Sequence, residues 1–208
     1  LRFKNYLNEE VDPRLIPTLE EDCKPFIKDL MSIHGKNMLY TGRDYFREDF
    51  KLKRVRKERD PVDTPKLVHN WVDDWFYKKF GVRARSNSLF ASFNYRQANS
   101  YGAEAYIAFP VGQYKAISSH KVDDLFGVIV TAKNKLGGPD AHMFDTNTWL
   151  EGLLPDKQVE LKAYMYSRLD DADYRDKLMF HENEYMIVCD EYYIVKLEHE
   201  ALLTHTFK

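Results

Sequence analysis

Residues 178–198, LMFHENEYMIVCDEYYIVKLE, hold two apolar runs, YMIV at 185–188 and YYIV at 192–195, around Cys189-Asp190-Glu191. Short runs rich in Tyr, Ile and Val, bounded by acidic residues, read as strands. They close a second half in which short strands outnumber helices. Upstream, 82–92 (VRARSNSLFAS) reads as extended. Residues 103–112 (AEAYIAFPVG) read as a strand turning at Pro110 to Gly112, and 114–119 (YKAISS) continues the pattern. The run 124–133 (DLFGVIVTAK) reads as β-rich, 134–140 (NKLGGPD) as a loop, and 159–169 (VELKAYMYSRL) is ambiguous. Residues 93–102 form a turn and short helix, and 146–154 a capped helix starting at Thr146 or Asn147.

Helices crowd the first half. Leu15, Ile16, Leu19, Phe26, Ile27 and Leu30 fall near helical spacing in a polar lead-in, residues 1–36. In 66–80, Leu67, Val68, Trp71, Trp75, Phe76 and Phe80 make an amphipathic helix. Asp63 or Thr64 is its candidate cap, Pro65 sits in its first turn, and Gly81 stops it. Its aromatic stripe reads as core and His69 as a surface or helix-face histidine. Met38-Leu39-Tyr40-Thr41-Gly42-Arg43 reads as a strand that turns at Gly42. The order of elements is α+β rather than alternating βαβ.

The chain has 208 residues, a length that fits one large domain or two small ones. Lys and Arg total 31 against 33 Asp and Glu, a formal charge of −2, which argues against a general polyanion binder. The basic stretch 47–60 (REDFKLKRVRKERD) reads as a solvated loop or hairpin, because acids interleave it. The sharper alternative is an arm from Arg47 to Arg59 that docks phosphates, nucleic acid included. No apolar run is long enough to span a membrane. The start has no apolar signal region, and Cys23 and Cys189 are read as idle thiols in a reducing, cytoplasmic setting.

Phosphate loops, dinucleotide fingerprints, nucleophile elbows and His-Glu-x-x-His metal motifs are absent. The acidic runs Asp123-Asp124 and Asp170-Asp171-Asp173 read as caps or turns. The strongest chemical feature is Glu182-Asn183-Glu184. On an extended segment, carboxylates at i and i+2 share a face, where one tunes the other. The alternative is a pair of edge-strand acids facing water.

The run Asn183-Glu184-Tyr185-Met186-Ile187-Val188-Cys189-Asp190 resembles the N-E-Y-I-V-Y-D run of poly-ADP-ribose polymerases, with one extra residue. Glu182 makes it similar also to the E-x-E pair of arginine-directed mono-ADP-ribosyltransferases. Ser88-Leu89-Phe90-Ala91-Ser92, then Ala98, Tyr101 and Gly102, resemble the superfamily's serine strand and following helix. Met38 to Gly42 resemble its first strand, with Thr41 where an Arg or His is usual and Arg43 two residues on. The usual Ser-Thr-Ser triplet is absent.

The resemblance implies one ADP-ribosyltransferase-like domain over 1–208, with two small mixed or antiparallel sheets packed around an NAD cleft. It also implies helices mainly in the N-terminal half and an insertion near 133–160. Glu184 would stabilise the ribose as nicotinamide leaves, and Glu182 would activate or position a protein acceptor. Tyr40, Thr41, Gly42, Arg43, Ser88, Phe90, Ser92 and Tyr101 would bind NAD, with Tyr101 on the nicotinamide and no metal involved. The competing expectations are an NAD glycohydrolase and a catalytically inactive relative acting as a binding or virion structural protein.

Overall fold

The computed structural model describes residues 11–33, 38–61, 64–122, 125–136, 146–176, 178–180 and 182–207, with the backbone alone at 126, 146 and 147. The strands are β1 (Tyr40–Arg43), β2 (Phe50–Arg54), β3 (Leu89–Ala91), β4 (Glu104–Pro110), β5 (Lys115–Ser118), β6 (Asp173–Arg175), β7 (Tyr185–Val188) and β8 (Glu191–Val195). The helices are α1 (Leu15–Asp22), α2 (Lys24–Ser32), α3 (Lys66–Phe80), α4 (Tyr95–Asn99), α5 (Leu125–Lys135), α6 (Thr146–Glu151), α7 (Pro155–Arg168) and α8 (Glu200–Thr206).

The strands form two four-stranded sheets, ordered β1-β4-β8-β2 and β3-β7-β5-β6. Every pairing in both is antiparallel. The molecule is therefore α+β, as expected, but the helices are shared evenly. Four of those described follow residue 124. The difference arises at 125–135 and 155–168. Leu125, Val128, Ile129 and Ala132 are buried at i, i+3, i+4 and i+7, so 125–135 is a helix although its composition is β-rich. Packing of one apolar stripe overrides the weak helix preference of Val and Ile. Leu161 and Met165 anchor α7 in the same way, and so resolve the ambiguous stretch as helix. Of the loop expected at 134–140, residues 137–140 lie outside the described residues, as do Asp63, Asp123 and Asp124.

The second sheet separates two apolar clusters by its period of two. Leu89, Ala91, Ala116, Tyr185 and Ile187 join the first sheet, α1, α2 and α8 in one cluster. Phe90, Ile117 and Met186 point the other way and pack with α3, α5 and α7. The N-terminal segment is thus no loose lead-in: Leu15, Leu19 and Phe26 are fully buried core.

The sheets also meet at a seam. β1 and β3 are edge strands, joined by one antiparallel bridge between Tyr40 and Ser92. One residue on, the backbones no longer pair, and the Thr41 hydroxyl spans the gap to the Phe90 carbonyl at 2.7 Å. The space between the sheets is filled by core side chains. A small, mainly apolar pocket lies on the other face of the second sheet, beneath α3.

Candidate active site

Glu184 stands immediately before β7, and its side chain is 10% exposed. It shares a sheet face with Met186, which pairs with Phe90 of β3. Its carboxylate accepts a hydrogen bond from Arg85 Nη1 at 3.0 Å in an ion pair whose members are equally buried. Val72 and Phe76 of α3, with Ile117, Leu125 and Met186, wall the small apolar pocket into which this pair faces.

Glu182 does not share that environment. It lies in a bend rather than on an extended run, and it is exposed. Its carbonyl accepts a hydrogen bond from the Ser92 hydroxyl at 2.7 Å. The two acids therefore divide between the interior of the site and its rim.

Arg85 is the organising residue that the sequence reading missed. Residues 84–86 are a turn, not extended chain. Asp73 of α3 is 2% exposed and holds that turn, accepting hydrogen bonds from the Arg85 and Ser86 backbone N–H groups and from the Ser86 hydroxyl. His69, one helical turn earlier, lies with Nε2 3.1 Å from the same hydroxyl. Because that hydroxyl donates to Asp73, it accepts from the His69 Nε2–H. His69 is buried rather than a surface histidine. Burial first, and then the Arg85 charge, hold its pKa below the usual value. Pro65 takes the N-cap position of α3, no side chain among the described residues caps the helix, and Thr64 accepts from Arg85 Nη2 at 3.3 Å.

The Arg85 guanidinium lies 4.6 Å from the centre of the Phe90 ring, and that of Arg59 lies 4.5 Å from the same centre. Arg59 is tied to the turn by its backbone N–H, which donates to the Ser86 carbonyl. Within the basic stretch, Lys51 and Arg54 are exposed and paired with Glu48 and Glu191, as a solvated segment predicts. Arg59 is the exception. The signal that could have found it is its place at the end of the stretch, two residues before Pro61 and shortly ahead of α3.

The remaining expected residues take varied positions. Thr41 is fully buried and its hydroxyl is spent on Phe90. Arg43 donates to the Tyr192 hydroxyl and to the Gly42 carbonyl, both at 2.9 Å. Gly42 is required by close approach: a Cβ there would stand 2.4 Å from the Ala98 carbonyl oxygen. Tyr40 donates to Glu200 and borders Tyr95. Ser88 braces the turn by donating to the Ala84 carbonyl. Tyr101 is half-buried on the margin of the α3 cluster, in the segment that backs onto Gly42 and Arg43. Thus Thr41, Phe90 and Glu184 share one seam, whereas Tyr40, Ser88 and Ser92 serve its scaffold.

The other acidic groups are structural. Asp171 accepts hydrogen bonds from Ser119, His120 and Lys121, and Asp170 pairs with Lys121. Asp49, Glu198 and His199 converge beside β2, the edge of the first sheet opposite β1. No helix among the described residues is long and apolar enough to cross a membrane. In comparisons with known proteins, the chain matches no family model, no curated protein and no solved structure.

Proposed function

We propose that the chain is an ADP-ribosyltransferase that cleaves NAD at the bond between nicotinamide and ribose. The observation that carries this reading is the position of Glu184. It is a largely buried carboxylate at the head of β7, one strand from β3 and next to the seam with β1. The three segments that resemble the superfamily are far apart in sequence and adjacent here. In the reaction the C1′–N bond breaks and its electron pair leaves with nicotinamide. Glu184, acting in a site shielded from water, stabilises the positive charge that develops on the ribose. An acceptor nucleophile then forms the new bond to C1′ and loses a proton, a role we assign to the exposed Glu182. The E-x-E spacing favours an arginine side chain as acceptor, and water in its place would give glycohydrolysis.

One observation favours a second reading, a non-catalytic binding protein of the same architecture. Thr41 replaces the usual basic residue and its hydroxyl is already committed inside the protein. Incubation with NAD labelled in the nicotinamide ring, with and without cell lysate, separates the two. Nicotinamide release that falls at least about 100-fold in Glu184→Gln supports transfer chemistry, in the range expected for losing one charge-stabilising group. Wild-type protein that releases none under either condition leaves the binding reading.

A further inference from the structure

Asp49, Glu198 and His199 meet at the β2 edge of the first sheet, the edge opposite β1 and its seam. Asp49 directly precedes β2, and Glu198 and His199 close the 3₁₀ turn Leu197–His199 that follows β8. One ligand atom from each residue lies within 4.8 Å of the other two. His199 is 5% exposed, and its Nε2 is buried with no hydrogen-bond partner among the described residues. That nitrogen faces Asp49 Oδ1 at 3.5 Å and Glu198 Oε1 at 3.8 Å, too far for a normal hydrogen bond to either. Leaving a buried ring nitrogen unsatisfied is costly, and one set between two carboxylates has its complement in a cation.

Asp49 is oriented before any ion arrives. Its Oδ2 accepts from the Asp12 backbone N–H at 2.9 Å, and its carbonyl accepts from the Lys196 N–H at 3.0 Å. Oδ1 is left for His199. Asp49 also lines an open groove with Asp12, Arg14, Arg47 and Glu48, which gives an ion a route from solvent. Arg14 is neutralised there by Asp12.

We propose that Asp49, Glu198 and His199 bind one divalent transition-metal ion of the zinc class. Bonds of about 2.0–2.2 Å to a tetrahedral ion set neighbouring ligand atoms roughly 3.4 Å apart, so small side-chain shifts close the site. One imidazole with two carboxylates suits zinc better than magnesium or calcium, which prefer oxygen alone. Water takes the fourth position. The ion clips the start of β2 to the turn after β8. Its resident competitor is Lys196, whose ammonium lies 3.4 Å from Glu198 Oε1 and moves to solvent as the ion enters.

Calorimetry with zinc chloride on chelator-treated protein tests the site, with a thermal melt alongside. Wild-type protein should take up one zinc per chain and melt at a higher temperature with it, and magnesium chloride at the same concentration should do neither. Glu198→Gln, at an exposed position, should fold as wild type does. It should bind zinc at least about 10-fold more weakly, the smallest loss typical even of groups that only support a ligand. Lys196→Gln should bind zinc no more weakly than wild type, since it removes a competing charge. The nuclear magnetic resonance signals of the His199 ring in wild-type protein should shift on zinc addition, a readout that needs no substitution of this buried residue. No zinc uptake by wild type, undiminished uptake by Glu198→Gln, weaker uptake by Lys196→Gln, or His199 signals unmoved by saturating zinc would each overturn the assignment.

Discussion

Asp73, Ser86 and His69 form a chain of hydrogen bonds, and burial, then the Arg85 charge, hold the His69 pKa below its usual value. A histidine whose folded pKa lies below its unfolded value of about 6.5 contributes stability above that pH. The contribution is lost as pH falls below 6.5 towards the folded pKa, because the unfolded chain takes up the proton first. Urea melts at pH 7.5 and pH 5.5 should therefore show a smaller acid loss for His69→Gln than for wild type, since the amide still donates to Ser86 and does not titrate. Equal acid losses would mean that His69 is charged in the fold. This residue marks where sequence reading ran short. His69 and Asp73 stand at i and i+4 on α3, beside an aromatic stripe that was read correctly as core. Nothing local says that a turn 12 residues beyond Asp73 folds back to seek that carboxylate. Glu184 was legible because its flanks are β-rich and acidic. Arg85 was not, because one Arg in a mixed segment carries no pattern.

At the scale of the elements, helix α3 and strand β1 set the site, and both were visible beforehand for sound physical reasons. The αL conformation of Gly81, with φ of 76°, ends α3 where a residue without Cβ was expected to end it. Gly42 does different work. Its strand presses against the 98–102 segment, and a methyl group there would also fall 2.6 Å from the Gly102 nitrogen. Gly42→Ala should cost about 1–3 kcal/mol in chemical denaturation, the usual penalty of overpacking. The same push would shift Arg43 and the seam, so the NAD turnover proposed above should drop with stability; an alanine variant as stable as wild type would show that β1 is free to move. Helix α5 illustrates the opposite case. Val128, Ile129 and Val130 suit either structure, and only the partners supplied by α7 and α3 decide the outcome.

For the molecule as a whole, the two apolar clusters make folding a joint property of distant segments. Cys23 in the first cluster and Cys189, partly buried after β7, report on this. Burial raises both thiols, Cys189 to about 12. Neither is a competent thiolate at neutral pH while the protein is folded. A thiol-reactive dye at pH 7.5 should label native protein slowly and unfolded protein at once, with both sites released together on a urea gradient. Early release of Cys189 alone would show that the strand carrying Glu184 opens by itself. The α+β class and most elements were legible in the sequence. Two sheets were expected from the resemblance and are present, but which strands belong to each was not legible, because it depends on where a chain crosses over, and YMIV and YYIV look like the arms of one hairpin. They pair instead in different sheets, separated only by Cys189 and Asp190.

That two-residue crossover, with the Tyr40–Ser92 bridge, pins the halves of the protein at two places. With the first apolar cluster shared by both sheets, these two ties oppose a lobe-like swing. Admission to the site then depends on rotations of long basic side chains, which take nanoseconds, rather than on slower jaw-like opening. Turnover by the proposed reaction would then be paced by bond breaking or product escape, and a thin, elongated guest would be admitted where a bulky one is refused.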